Sequence, residues 1–212
     1  MTNYLLLAKR AGFIASLLFP LIILLTGALT PNYSHSSQYI SELGAVGAPF
    51  HYLMNWLGIA PFGLLICFFS CSISFYLRPG IIAWIAGFFL LLSGLGFLIA
   101  GLFSCDVGCS FATMSQSQVI HNLSSMGGFI AAILASGILS LRLITMRNQK
   151  DLIYPLYLTS LIMCLLMVLS LTSMYFVGPN SSIIGLLQRC FIASLCIWLG
   201  LSSRYLLKCV NQ

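Results

Sequence analysis

Six long apolar segments divide this chain of 212 residues, and they constrain its fold more than any other feature of the sequence. A helix needs about 20 predominantly apolar residues to cross the hydrocarbon core of a bilayer, and each segment meets that length. The sequence therefore predicts an all-α fold, with one domain over residues 1–212 built as a bundle of six transmembrane helices. We place the helices near residues 11–29, 51–77, 81–103, 119–141, 153–177 and 183–207.

Composition excludes a water-soluble globular protein, because only 6% of the residues are charged and 60% are hydrophobic. Soluble domains carry about 25% charged residues. The net charge of +6 would favour a nucleic-acid partner if the basic residues formed one surface. Here they lie beside the apolar segments, a pattern that reports membrane topology. We therefore expect membrane lipids as partners and no nucleic acid.

The positions of the basic residues predict the orientation of the bundle. They lie at both chain ends and in the second and fourth gaps between apolar segments, and the other gaps contain no Lys or Arg. By the positive-inside rule, both termini face the cytoplasm. The residues that carry this prediction are Lys9, Arg10, Arg78, Arg142, Arg147, Lys150, Arg204 and Lys208.

Arg189 is the exception, because it lies inside the sixth apolar segment. It follows Ile183 by six residues, which places it about 9 Å below the outer interface at a rise of about 1.5 Å per residue. A charge within a span is costly and marks a functional site by default. Two explanations stay open: an internal ion pair with Glu42 or Asp106, or binding of an anion such as a lipid phosphate.

The remaining polar residues of unusual type collect on the same outer side as Arg189. Two outer loops, the outer ends of the second and fourth spans, and the residue before Arg189 supply them. They are His35, Ser41, Glu42, His51, Asn55, Cys105, Asp106, Cys109, His121, Asn122, Ser124, Ser125 and Gln188. We therefore expect the chemistry of this protein at the outer face.

Three of these residues could form an open, catalytic zinc site, since imidazole and carboxylate are zinc ligands. The candidates are His51, His121 and Asp106, although no HExxH motif or paired CxxC supports them. Interfacial histidines that bond to backbone or headgroups are the simpler interpretation. A serine hydrolase would need a serine beside a histidine and an acid, for which Ser41, Ser124 and Ser125 are available. The candidate catalytic residues are His121, Asp106 and Glu42.

Cys105 and Cys109 flank Asp106 in a predicted outer loop. In an oxidising compartment they would form a disulfide that stiffens the turn presenting the aspartate. A metal pair or free thiols stay open as alternatives.

Several short motifs resemble those of one membrane family. The first is Tyr39-Ile40-Ser41-Glu42-Leu43-Gly44-Ala45 with Pro49 and Met54-Asn55, and the later ones are Gly101-Leu102-Phe103 with Asp106, His121, and Gly185 with Gln188-Arg189. They are similar to a prokaryotic six-helix family known as domain of unknown function 998. The family has a proline shortly before its aspartate, where this chain has Ser104-Cys105.

The resemblance implies a six-helix bundle in a bacterial inner membrane and no established activity. It singles out Glu42, Asn55, Asp106, His121 and Arg189. A more distant similarity, to DRAM-like and GPI-remodelling six-helix proteins, points towards lipids.

Two functional hypotheses follow. The first is an outer-leaflet pocket that binds a lipid headgroup or other anionic amphiphile, formed by the five residues that the resemblance singles out together with Gln188. The alternative is an intramembrane lipid hydrolase in which His51, His121 and Asp106 bind a metal or act as acid and base, with Arg189 stabilising an oxyanion. A transporter has the least support, because no chain of acidic residues crosses the spans.

Overall fold

The computed structural model describes residues 3–76, 80–111, 113–144 and 150–208. Within these ranges, all regular structure is helical, and six helices are long and apolar enough to cross a membrane. The protein is therefore a multi-pass membrane protein, and the predicted all-α fold with six spans is confirmed. Of the residues that predict the orientation, Arg78 and Arg147 lie outside the described residues, as do the side chains of Lys150 and Lys208.

Six apolar segments give rise to seven α-helices, because the second span is interrupted. A π-helical segment, Met54–Ile59, separates its two α-helices and ends two residues before Pro61. Proline lacks an N–H and crowds the carbonyl one turn back, which favours such a local widening of the helix. The helices are α1 (Asn3–Leu29), α2 (His51–Leu53), α3 (Ala60–Tyr76), α4 (Ile81–Leu102), α5 (Gln116–Ile144), α6 (Lys150–Val177) and α7 (Ile184–Lys208).

The spans form a closed ring in which each packs on its neighbours in sequence and α7 returns to α1. Five phenylalanines from five helices meet inside the ring. Successive ring centroids lie 4.3 to 5.6 Å apart, and all five side chains are buried. They are Phe19, Phe62, Phe97, Phe129 and Phe191. This aromatic layer fills the bundle beneath the end that carries residues 30–50 and 103–115, which we call the outer end after the predicted orientation.

Glycines let the α4 backbone approach its neighbours closely. A Cβ atom at Gly101 would lie 2.5 Å from the backbone nitrogen of Ala60 on α3, and one at Gly96 would lie 2.5 Å from the backbone oxygen of Ser124 on α5. Small residues at helix contacts are the usual means by which membrane helices pack tightly. The close fit of α4 against both neighbours fixes the height of the second outer loop, which follows α4.

Two irregular loops cover one end of the ring. The first outer loop, residues 30–50, contains the 3-10 helix Ile40–Gly44, and the second outer loop, residues 103–115, contains Val107–Cys109. Val46 donates its backbone N–H to Cys105 O at 2.9 Å, so the two loops are bonded to each other. The first loop also reaches α7, where Leu186 N donates to Ser36 O at 2.9 Å.

Candidate functional site

Arg189 fastens the first outer loop to α7. Its Nη1 donates to the carbonyl oxygens of His35 at 2.6 Å, Gln38 at 3.0 Å and Gly185 at 2.9 Å. Its Nη2 donates to the hydroxyl of Tyr33. Glycine is required at position 185, because a Cβ atom there would collide with the Gln38 carbonyl. Backbone oxygens and the Tyr33 hydroxyl therefore accept from Nη1 and Nη2, whereas the buried Nε has no hydrogen-bond partner among the described residues.

An ion pair of Arg189 with Glu42 or Asp106, one of the two explanations left open by the sequence, is not found among the described residues. The physical reason is the turn that the loop makes over α7, which directs several carbonyl groups at one point. A guanidinium has five N–H donors and can satisfy such a set of acceptors without an acid.

Tyr33 continues this network. Its hydroxyl accepts from Arg189 and donates to Tyr39 O at 2.8 Å. Burial raises the pKa of Tyr33, an effect larger than the opposing one of the Arg189 charge. The side chain therefore stays a neutral phenol and keeps its donor at ordinary pH.

Glu42 stabilises the 3-10 helix of the first loop. One carboxylate oxygen accepts from Gln38 Nε2 at 2.8 Å, and the other accepts from the backbone N–H of Tyr39 at 2.8 Å. Burial, and secondarily the charge of Glu42, raises the pKa of Tyr39. Glu42 borders a shallow pocket of the first loop that His121 does not line. Glu42, like Asn55 and Arg189, therefore does not line the pocket that His121 and Gln188 share.

His51 and Asn55 hold the end of the first loop. His51 Nδ1 donates to Gly44 O at 2.8 Å, and Asn55 Nδ2 donates to Gly44 O at 2.8 Å and to Ser104 Oγ at 3.0 Å. A side chain at position 44 would collide with the Asn55 amide. These contacts explain the Gly44 and Asn55 of the first motif as a structural unit.

Asp106 holds the second outer loop against the start of α5. Its Oδ2 accepts from the backbone N–H of Ser115 at 2.8 Å. Hydrogen bonds from the backbone and side chain of Ser115 lower the pKa of Asp106. The N-terminus of a helix also favours a negative charge. Asp106 is therefore an anionic cap of this loop at neutral pH.

His121 lies one turn inside α5 and is almost fully buried. Its Nδ1 lies 2.8 Å from Ala100 O and 2.9 Å from Phe103 O. Carbonyl oxygens only accept, so Nδ1 carries the proton and donates to the carbonyls at the end of α4. In the neutral imidazole, Nε2 is then an acceptor.

A pocket of about 140 Å³ opens beside His121 at the outer end of α5. Its polar wall comes from the first outer loop, α5 and α7, and its apolar wall comes from the second outer loop, α5 and α6. A smaller cavity of about 30 Å³ lies next to it, towards the aromatic layer, and shares four of its polar residues. The shared residues are Ser41, His121, Ser125 and Gln188.

Gln188 is buried at the base of this pocket. Its Oε1 accepts from the backbone N–H of Ile40 at 2.6 Å, which fixes the orientation of the amide. No hydrogen bond of its Nε2 is found among the described residues. The pocket therefore pairs an acceptor, His121 Nε2, with the amide donors of Gln188, beside the hydroxyls of Tyr39, Ser41 and Ser125 and the amide of Asn122.

The comparisons with known proteins name a family. A family model described as "Protein of unknown function (DUF998)" matches residues 13–205. The chain belongs to this family. No curated protein and no solved structure matches the chain. The resemblance drawn from the short motifs is confirmed, and the similarity to DRAM-like proteins stays a prediction.

In this DUF998 protein, the predicted zinc ligands do not come together. His51, His121 and Asp106 bond to three different parts of the backbone, at Gly44, at the end of α4 and at Ser115. No group of three His, Cys, Asp or Glu side chains among the described residues is arranged to hold a metal ion. The loops have many carbonyls to satisfy, and the two imidazoles serve as their donors.

The Sγ atoms of Cys105 and Cys109 in the DUF998 protein lie at disulfide-bonding distance, as predicted. Both sulfurs also contact Ser41, at 3.6 Å from its backbone oxygen and its Oγ. Cys109 has a φ of 48°, a left-handed conformation that non-glycine residues rarely adopt. The pair thus supports Ser41 and one edge of the pocket.

Gln118 is a site residue that the sequence reasoning missed. It is fully buried, accepts from Asp106 N at 3.0 Å and donates to Ser110 O at 2.6 Å. Its own backbone N–H donates to Ser115 Oγ at 3.2 Å. Ser115 and Gln118 match the Ser-x-x-Gln pattern of a helix capping box, so a readable signal was present.

Proposed function

We propose that this DUF998 protein binds a membrane amphiphile through a small polar group that carries hydroxyl or other N–H or O–H donors. The polar group occupies the pocket beside His121, and the hydrocarbon chain leaves between α5 and α6. The observation that carries the proposal is the pairing of an acceptor, His121 Nε2, with the donors of Gln188 in one pocket.

The chemistry of the two residues selects the ligand group. Because His121 Nδ1 is committed to two carbonyls, Nε2 accepts a hydrogen bond from a ligand. Gln188 Nε2 donates to a ligand oxygen. A hydroxyl can accept and donate at once, so a group with one or more hydroxyls matches both residues. Tyr39, Ser41 and Ser125 line the same pocket with further hydroxyls.

The size of the pocket limits the polar group. A volume of about 140 Å³ is close to the ~150 Å³ of a cavity that accommodates benzene. It admits a group of about six heavy atoms, such as glycerol. A complete phosphorylated headgroup would have to extend out of it.

The apolar side of the pocket supplies a path for the hydrocarbon chain. Met126, Phe129 and Met174 form this side, and methionine adapts easily to flexible ligands. The helix that carries Met174, α6, is the least enclosed of the spans, with 17% of its apolar window buried. A chain between α5 and α6 would therefore reach the surrounding lipid directly.

Arg189 has an indirect role in this proposal. Its Nη1 and Nη2 hold the first loop, which contributes Tyr39 and Ser41 to the pocket. The sequence suggested a headgroup phosphate as the ligand. The ligand proposed from the structure is instead an uncharged polar group.

Two variants test the pocket. His121→Asn keeps a donor near the position of Nδ1 and removes the acceptor at the position of Nε2, and Gln188→Glu keeps the acceptor for Ile40 and removes the amide donors. The probe is 1-oleoylglycerol, compared with its dimethyl ether, which lacks hydroxyl groups. We expect each variant to weaken binding of 1-oleoylglycerol about fivefold to tenfold, the effect of one buried hydrogen bond.

A matched serine pair provides the control. Ser125 lines the pocket and Ser124 does not, and each hydroxyl donates to the carbonyl three residues earlier. Ser125→Ala should weaken binding, and Ser124→Ala should leave it unchanged. Equal binding of 1-oleoylglycerol and its dimethyl ether would contradict the proposal.

An esterase is the second candidate, because His121, Ser41 and Ser125 line one pocket. His121 Nδ1 meets carbonyls here, where a catalytic triad has a carboxylate. Release of oleate from an oleoyl ester by the wild type, lost in Ser41→Ala or Ser125→Ala and kept in Ser124→Ala, would favour this function over binding alone.

For its location, we propose a bacterial inner membrane with both termini in the cytoplasm, on the support of the basic residues at the chain ends. A membrane-impermeant maleimide should label Ser182→Cys on intact cells, because that exposed position lies in the loop between α6 and α7, on the predicted outer side. Arg10→Cys should react only after permeabilisation. The reverse pattern would invert the bundle and move the pocket to the cytoplasmic side.

A further inference from the structure

A second pocket lies between α1 and α7, in the half of the bundle that holds the chain termini. Its volume is about 380 Å³, and it shares no residue with the pocket beside His121. Apart from one arginine at its end, its walls carry no charge. The walls consist of Phe13, Ser16, Leu17 and Pro20 on α1, and of Ala193, Cys196, Ile197, Gly200, Leu201 and Arg204 on α7.

The length of this groove matches one leaflet of a bilayer. Ala193 and Arg204 stand at its two ends on α7, eleven residues apart, which is about 16 Å of helix at a rise of about 1.5 Å per residue. Half of a hydrocarbon core of about 30 Å is about 15 Å. The groove thus runs from the middle of the membrane to the interface near the termini.

The floor of the groove is formed where α1 and α7 approach each other closely, and its lining is mostly apolar. Gly200 has no side chain, and a Cβ atom there would lie 2.8 Å from Ser16 Oγ across the groove. The Ser16 hydroxyl donates to Phe13 O at 2.7 Å, so its polarity is satisfied within α1. Pro20 lies inside α1 without an N–H to present. Such a surface suits a hydrocarbon chain.

Arg204 gives the groove a charged end. Its side chain is exposed, lies in the last turns of the span, and has no hydrogen bond or ion pair within the described ranges of the chain. A guanidinium fork fits a phosphate better than an ammonium group does, because it donates two parallel hydrogen bonds. Charge and shape therefore complement a lipid that has a phosphate above one acyl chain.

We propose that this groove binds one phospholipid of the leaflet on the side of the termini, with an acyl chain between α1 and α7 and its phosphate on Arg204. The site is distinct from the one under the proposed function, and neither depends on the other.

Native mass spectrometry of the purified protein tests the site, with dioleoylphosphatidylglycerol as the probe and dioleoylglycerol, which lacks the phosphoglycerol headgroup, as the comparison. We expect one phosphatidylglycerol retained per chain. Arg204→Gln should reduce retention about tenfold, because one charge-assisted contact is lost. Arg10→Gln, which removes an exposed arginine at the same end outside the groove, should leave retention unchanged.

A second pair of variants tests the acyl chain. Ala193 is exposed and lines the groove, so Ala193→Phe fills it without disturbing the core. Cys190→Phe introduces the same ring at an exposed position of α7 outside the groove. We expect Ala193→Phe to reduce retention of phosphatidylglycerol and Cys190→Phe to leave it unchanged. His121→Asn, which alters the other pocket, should also leave it unchanged.

Four results would overturn the proposal. Equal loss in Arg204→Gln and Arg10→Gln would mean diffuse attraction to an anionic surface. Unchanged retention in Ala193→Phe would place the lipid elsewhere. Equal retention of dioleoylglycerol would exclude the phosphate contact. A dimer that dissociates in Ala193→Phe would make a second copy of the chain the occupant.

Discussion

Arg189 and Arg204, at opposite ends of the bundle, differ in their hydrogen-bond partners. At the outer end, Arg189, His51, Asn55 and Gln118 all bond to loop backbone, so a charge inside a span serves the fold there. At the end near the termini, Arg204 is exposed and has no such partner in the described part of the chain. Depth in the membrane and charge alone therefore do not identify a ligand site. Side-chain donors and acceptors that remain without a partner after the loop backbone is satisfied indicate such a site better.

The difference has a physical origin in the connections. The first outer loop has 21 residues, numbers 30–50, with only a short 3-10 helix to pair its backbone. Close to a bilayer, carbonyls and N–H groups without partners are costly. Side chains with several donors therefore accumulate under the outer loops, and a pocket forms where a few of their atoms stay unused.

Replacement of Arg189 should reduce the stability of the protein more than the other substitutions predicted here. A small effect would contradict the structural role given to Arg189. Arg189→Leu removes the donors of three carbonyls and Tyr33, and we expect a loss of about 3 kcal/mol in the free energy of unfolding. Thermal unfolding in detergent measures this, with Arg10→Leu as the exposed control. A variant that keeps its stability but loses a bound anion would show that Arg189 is a ligand site after all.

Gln118 should come second. Gln118→Leu removes the acceptor of Asp106 N and the Nε2 donor to Ser110 O, and we expect a loss of about 2 kcal/mol in the free energy of unfolding. The exposed neighbour Gln116 provides the control, since Gln116→Leu should change stability by less than about 0.5 kcal/mol. Hydrogen exchange should become faster in the second outer loop of Gln118→Leu alone. The same exchange in both variants would mean that the buried glutamine does not hold the loop.

The sequence predicted the spans better than it predicted the contacts of the candidate site. Six apolar segments were long enough to predict every span, because span length is set by the bilayer. The partners of Arg189, His51 and His121 could not be predicted, since they are backbone oxygens whose positions depend on loop turns. The pattern of charged residues can predict ion pairs, but it cannot predict a hydrogen bond to a backbone carbonyl oxygen.

The smallest effect concerns Asp106 and its pH dependence. Hydrogen bonds from Ser115 hold the pKa of Asp106 below its usual 3.8 in the folded protein, so the carboxylate stabilises the fold above that pH. This contribution disappears as the pH falls through the lower, folded value. Asp106→Asn keeps an acceptor for Ser115 and does not titrate. The difference in unfolding temperature between wild type and Asp106→Asn should therefore be constant from pH 7 to about pH 5 and shrink as the pH falls below about 4. A difference that persists undiminished to the lowest pH at which the protein stays folded would show that the charge of Asp106 plays no part, and that the outer loops depend on neutral hydrogen bonds alone.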